Sequence, residues 1–198
     1  MKKGIIGAGG FGREVYWSLS LRERADTVFF VDDEYWDNKN KIILPISKFN
    51  PTDYEIVVAI GDPKKRFDII QRLPKETKYF THIHPSCCIF DSNIEVGEGS
   101  IICAGSILTT NIKIGKHAHL NLQTTVGHDT TIGDFFTTAP GAKISGNCKI
   151  HDLVYIGTNA SIKEKINICS NTTIGLNAGV VKHITEPGTY IGCPSKKI

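Results

Sequence analysis

The 198-residue sequence predicts a small α/β domain followed by an all-β parallel β-helix. Three observations carry that reading: a large apolar residue at every sixth position from Phe90 to Val180, a strand–glycine-turn–helix unit at the N-terminus, and too few residues before the repeats for a full dinucleotide fold. The series runs Phe90, Val96, Ile102, Leu108, Ile114, Leu120, Val126, Ile132, Thr138, Ile144, Ile150, Ile156, Ile162, Ile168, Ile174 and Val180. Only Thr138 breaks it, and the spacing implies that no insertion shifts the register. A helix repeats every 3.6 residues and a strand every two, so a strict six describes one short strand plus a turn, closing a coil around a line of inward side chains.

The other positions of the six agree. Two places before each large residue stands a small one in most repeats, among them Ser100, Ser106, Ala118, Thr124, Ala142, Ala160 and Ala178, which suit the corners of a prism. Ile112, Phe136 and Ile166 depart from this preference. Directly after the large residue come Gly97, Gly115, Asn121, Gly127, Gly133, Gly157 and Gly175, read as turn-formers that tolerate sharp dihedrals. Three six-residue sides make an eighteen-residue coil, giving about five coils and a prism roughly 24 Å long at strand spacing.

Ahead of the repeats, Lys3 to Ile6 reads as a strand running into Gly7-Ala8-Gly9-Gly10-Phe11-Gly12, and Arg13-Glu14-Val15 opens a helix reaching about Leu21. Glycines there permit a tight turn and present backbone N–H groups to a phosphate at a helix start. Thr27 to Val31 forms a second strand ending in Asp32-Asp33, about where such a unit places a ribose-binding acid. Glu55 to Ile60 forms a third, ending in Gly61-Asp62, with a helix from Pro63 to Leu73 stopped by Pro74. Tyr79 to Ile83 adds a further strand. A dinucleotide needs two such halves, and one half suits a single nucleotide diphosphate, so a nucleotide-linked sugar fits better than NAD. The domains are expected at 1–83 and 84–198.

Composition narrows the function. A net charge of +3 with mixed signs does not describe a nucleic-acid surface. The N-terminus does not resemble a signal peptide, and no apolar run is long enough to span a bilayer, so no membrane insertion is expected. Cys87, Cys88, Cys103, Cys148, Cys169 and Cys193 show no disulfide pattern and read as reduced residues of a cytoplasmic protein. His82-x-His84 with Cys87-Cys88 matches no standard zinc spacing, and no metal is expected. His117, His119, His151 and His183 read as surface residues at corners or at the C-terminal exit.

The combination G-A-G-G-F-G-R-E-V, a half-Rossmann unit, His84-Pro85-Ser86 and coils carrying His128-Asp129 resembles the sialic acid O-acetyltransferase and sugar-nucleotide N-acetyltransferase family across essentially the whole chain. The resemblance implies a left-handed β-helix, against the right-handed rule for ordinary parallel crossovers, and a homotrimer with active sites between subunits. It implies a nucleotide-linked amino sugar (UDP, dTDP or GDP) bound by Gly9, Gly10, Phe11, Gly12, Asp32, Asp33 and Gly61, with acetyl-CoA as co-substrate. Acetyl transfer to an amine needs a base, and an imidazole is well poised near neutral pH. The family histidine matches His128 and its carboxylate partner matches Asp129, a pairing of neighbours that requires a corner conformation.

One coil beyond His128 comes Gly146, in the family's S/C-G element, whose N–H is implied to face the thioester oxygen. Asn121 matches a family asparagine near the histidine. Thr137 stands where relatives often carry a second histidine. Acetyl-CoA is implied to meet Gly157, Thr158, Ala160 and Gly175, with Lys163, Lys165, Lys182, Lys196 and Lys197 available to its phosphates. The closing Gly192-Cys193-Pro194-Ser195-Lys196 resembles the family's G-x-P-A-K. The expected reaction is direct N-acetylation of a nucleotide-linked amino sugar; sialic acid O-acetylation and a non-catalytic nucleotide-sugar-binding prism are the alternatives.

Overall fold

The computed structural model describes residues 1–198. The chain starts as a five-stranded parallel sheet built from β1 (Lys2–Ile6), β2 (Thr27–Val31), β3 (Ile43–Pro45), β4 (Tyr54–Val58) and β5 (Lys78–Tyr79), in the order β3-β2-β1-β4-β5. Helices α1 (Gly10–Ser18), α2 (Leu21–Ala25) and α3 (Pro63–Arg72) cross over it. Runs such as Thr27-Val28-Phe29-Phe30-Val31 form strands buried on both faces, as parallel sheets require. The order reverses between β1 and β4, where the glycine loop and Gly61 lie side by side.

Local chemistry moves the helix boundaries from expectation. Helix α1 begins inside the glycine motif, at Gly10, and ends at Ser18. Ser20 starts a new helix because it forms a capping box with Glu23: Glu23 N–H donates to Ser20 Oγ and Ser20 N–H to the Glu23 carboxylate.

The prism follows. Each coil contributes one two-residue rung to each of three parallel sheets, and we number these faces in chain order. The first face holds His82–Ile83, Ile101–Ile102, His119–Leu120, Thr137–Thr138 and Tyr155–Ile156; the second Cys88–Ile89 through Gly179–Val180; the third Glu95–Val96 through Asn167–Ile168. From Val96 onward the eighteen-residue register holds, as in Leu108, Val126, Ile144, Ile162 and Val180 stacked on the second face. The prism starts at His82, two residues before the expected boundary. Its first coil carries one extra residue: Ile89, not Phe90, stacks under Leu108, and Phe90 is 72% exposed.

The turn chemistry also differs from expectation. The left-handed dihedral falls three residues after each core residue, at Asn111, Gln123, Asp129, Asn147 and their equivalents. Glycines directly after the core residue are needed for close stacking instead. A Cβ on Gly115 would lie 2.6 Å from the Gly133 carbonyl carbon, and one on Gly157 2.7 Å from that of Gly175.

Outward positions of the second and third faces are solvated, as at Lys113, Lys143 and Lys149. Those of the first face are buried from His82 through Ile101 and His119 to Thr137, because the α/β domain docks there. Ile101 joins Ile5, Val15, Phe29 and Val57 in one apolar cluster across the junction. Arg66 of α3 is fully buried at this interface. Its Nε donates to the His117 carbonyl at 2.9 Å, Nη1 to the Ile60 carbonyl, and Nη2 to the carbonyls of Phe135 and Phe136 and to Thr137 Oγ1 at 2.9, 3.1 and 2.8 Å. Nη1 also meets His119 Nδ1 at 3.1 Å, which must therefore accept. His117 and His119, read as surface residues, are 5% and 1% exposed.

Burial, then the nearby Arg66 charge, lowers the His117 pKa to about 4 and holds His119 well below the imidazole range. Both are neutral when folded and bind protons more readily unfolded. Stability is therefore complete above about pH 6.5 and falls as pH drops from there toward 4. Melting curves between pH 7.5 and 4.5 should show this decline, and His117→Gln should make it shallower.

Candidate active site

His128 follows the core residue Val126 by two and sits at the corner between the second and third faces. Asp129 adopts the left-handed corner conformation, with φ of 57°, which turns its side chain back alongside the histidine. His128 Nδ1 lies 2.7 Å from Asp129 Oδ2. With Nδ1–H donating to that carboxylate, Nε2 carries the free lone pair. Asp129 Oδ1 accepts from Asn111 Nδ2 at 2.6 Å, and this bond, followed by the one to His128, lowers the carboxyl's pKa. The carboxylate is thus anchored on two sides while the His128 side chain stays 56% exposed.

One coil up, Gly146 faces the ring: a Cβ there would lie 2.7 Å from His128 Nε2. The Gly146 N–H makes no hydrogen bond within the chain, whereas the next residue, Asn147, donates its N–H to the His128 carbonyl at 2.7 Å. At the neighbouring corner the equivalent amides are capped by carboxylates, Lys116 N–H by Asp134 and Asp134 N–H by Asp152. The unspent Gly146 donor and the free Nε2 lone pair therefore share one surface. Lys182 follows on the same corner, two coils above Gly146.

The other site candidates lie elsewhere. Asn121, Gly157, Thr158 and Gly175 line the corner between the first and second faces, so within one chain Asn121 and His128 stand at opposite edges of the second face. Ala160 is fully buried inside the prism. Asn121 and Thr158 border a junction pocket of ≈ 240 Å³ that Phe11 and Gly61 close from the α/β domain. Thr137 has its hydroxyl engaged by Arg66.

In the α/β domain, a cleft of ≈ 450 Å³ runs beside Gly7, Ala8 and Gly9, with apolar walls and Asp32, Tyr35 and Asp37 at its rim. No side chain caps the start of α1, leaving its first N–H groups available to an anion. Gly9, Gly10 and Gly61 face open space. Gly12 instead serves packing, since a Cβ there would overlap the Gly7 carbonyl oxygen. Asp33 turns from the cleft to accept the Ser47 N–H at 3.1 Å.

Known proteins resemble this chain along most of its length. A profile of the PglD N-terminal domain matches residues 4–73. GDP-perosamine N-acetyltransferase of Escherichia coli O157:H7 is 33% identical over 174 residues, covering 82% of this chain and 78% of that protein. This chain belongs to the PglD-like hexapeptide acetyltransferases. WeeI from Acinetobacter baumannii AYE superposes with a TM-score of 0.88 at 33% identity, covering 99% of both chains. The acetyltransferase domain of PglB from Neisseria gonorrhoeae FA1090 superposes at 0.89 with 27% identity, covering 100% of both chains, and has also been solved in complex with acetyl coenzyme A.

As a PglD-like acyltransferase with a left-handed prism, the chain carries two site features that sequence reasoning missed. Nothing in the sequence singles out Arg66, and His119 reads as a surface residue at a corner. One signal was present: outward residues on every third rung, Ile101, His119, Thr137 and Tyr155, are uncharged where the other faces carry lysines.

Proposed function

We propose that this acyltransferase moves the acetyl group of acetyl-CoA onto the amino group of a nucleotide-linked amino sugar, with His128 as general base. The observation that carries this reading is the juxtaposition of an Asp129-anchored imidazole, its Nε2 free, with the unspent Gly146 N–H. The amine nitrogen attacks the thioester carbonyl, forming C–N as C–S breaks. His128 Nε2 takes the amine proton and returns it to the departing CoA thiolate. The Gly146 N–H donates to the oxyanion, and Asp129 holds the imidazolium in place.

The nucleotide lies in the α/β cleft with its phosphates at the N-terminus of α1, and Gly157, Thr158, Gly175 and Lys182 contact acetyl-CoA. The name of the Escherichia coli relative makes a GDP-linked amino sugar the first acceptor to test. A homotrimer brings the Asn121 corner of one copy against the His128 corner of the next. Exposed Leu122 and Leu176 on the former corner support this, and sedimentation should give three times the 21.8 kDa chain mass. Six free cysteines suit a reducing, cytoplasmic setting.

The deciding experiment is thiol-detected CoA release with GDP-, UDP- and dTDP-linked amino sugars. Turnover with one nucleotide class supports the reading, and none with any class overturns it. Gly146→Ala places a methyl against the imidazole. It should lower kcat by about 10² while leaving the melting temperature nearly unchanged, a loss comparable to removing an oxyanion donor.

A further inference from the structure

The buried series that builds the prism has one polar member, Thr138, and the proposed chemistry leaves it unused. It is fully buried. In neighbouring coils the corner N–H donates to a ladder carbonyl: Cys103 to Leu120, Ala139 to Ile156 and Gly157 to Ile174, all at 2.7–2.8 Å. Asn121 alone breaks the pattern, donating its N–H to Thr138 Oγ1 at 2.9 Å.

A closed ring results. Thr124 Oγ–H donates to the Asn121 carbonyl at 2.8 Å, so Thr138 Oγ–H, 2.7 Å from Thr124 Oγ1, must donate to it. Every hydroxyl proton is thereby assigned. Asn121 Oδ1 accepts the Leu122 N–H at 2.7 Å, which orients the side-chain amide and leaves both Nδ2 protons unspent. The Thr138 carbonyl loses its ladder donor. Asn121 and Thr138 both border the junction pocket, with Phe11 and Gly61 opposite.

We propose that Thr138 and Thr124 are positioning residues that turn the Asn121 corner away from the ladder. The turn presents the Asn121 side-chain amide donor to the hexose of the nucleotide-linked substrate in the junction pocket. The inference rests on the function proposed above. A free amide donor suits a ring whose hydroxyl oxygens accept. The pocket also adjoins the glycine loop, where the phosphates of such a substrate bind. An aliphatic residue at 138 would complete the core and restore the ladder, so the polar break serves the pocket rather than the prism.

The test is Thr138→Val, which keeps the shape and removes the hydroxyl. It should melt at or above the wild-type temperature and raise KM for the nucleotide amino sugar about tenfold, as for one lost hydrogen bond, with KM for acetyl-CoA unchanged. Thr138→Ser should return that KM to near wild type, and Thr124→Val, opening the ring from the other side, should reproduce the rise. On an Asn121→Ala background, Thr138→Val should add nothing further. An active wild type whose Thr138→Val variant keeps its acceptor KM, or multiplies the Asn121→Ala effect, overturns this inference alone. A wild type that releases no CoA with any nucleotide amino sugar overturns the function reading beneath it.

Discussion

Replacing His128 with alanine is expected to lower kcat by about 10² to 10⁴, the usual contribution of a positioned base. Binding should persist, because substrate and acetyl-CoA contacts are assigned to other residues. Folding should persist too, since the side chain is 56% exposed and its partner Asp129 keeps the Asn111 bond. The check pairs steady-state kinetics with melting curves. A fall in kcat below tenfold would move the base elsewhere; a collapse in melting temperature would make His128 a structural residue. Asp129→Ala should fall between the variant and wild type, because the imidazole stays in place but loses the carboxylate that orients it.

The largest loss of stability is expected from Arg66→Met. The guanidinium joins α3 to the prism through the carbonyls of His117, Phe135 and Phe136 and through Thr137 and His119, and holds the Ile60 carbonyl of its own domain, with no carboxylate in salt-bridge reach. Burial lowers its pKa to about 9, so it remains cationic at neutral pH. Methionine fills part of the space but leaves most of those acceptors buried and unpaired, only the Phe136 carbonyl keeping the His119 N–H, at a cost of about 3–5 kcal/mol. For a chain of this size that is a drop of roughly 10 °C in melting temperature. Arg66→Lys should rescue little, because a compact ammonium cannot span acceptors that a planar five-donor fork reaches. A melting temperature within 2 °C of wild type would refute the assignment.

The prism was legible because each rung is a local repeat. Six residues specify one strand and one corner, and stacking identical units turns a period in sequence into contacts in space. The corner that pairs His128 with Asp129 was legible for the same reason, as was Gly146 one coil above. The glycine loop and the strands ending in Asp32 and Gly61 could be read because a parallel strand, a glycine turn and a helix start are local patterns too.

Where the reading failed, the missing information was long-range. Phe90 continues the period in sequence, yet one added residue in the first coil puts Ile89 in its place, and only pairing with Leu108 reveals it. The glycines after the core residues looked like dihedral devices; the coil above shows that they are needed for clearance. Asn121 shares a motif with His128, but seven residues carry it across a full face of the prism.

By itself, then, the sequence determined the repeat, the half-Rossmann unit and the His128-Asp129 corner, since each depends on residues within about one coil of one another. Only the tertiary structure decided that α3 sits on the first face, that Arg66, His117 and His119 are buried there, and that Thr138 serves Asn121. Those outcomes depend on which surfaces meet after the elements form. A buried guanidinium and a solvated one read alike in a string of letters, because burial is set by whatever packs against it, dozens of residues away.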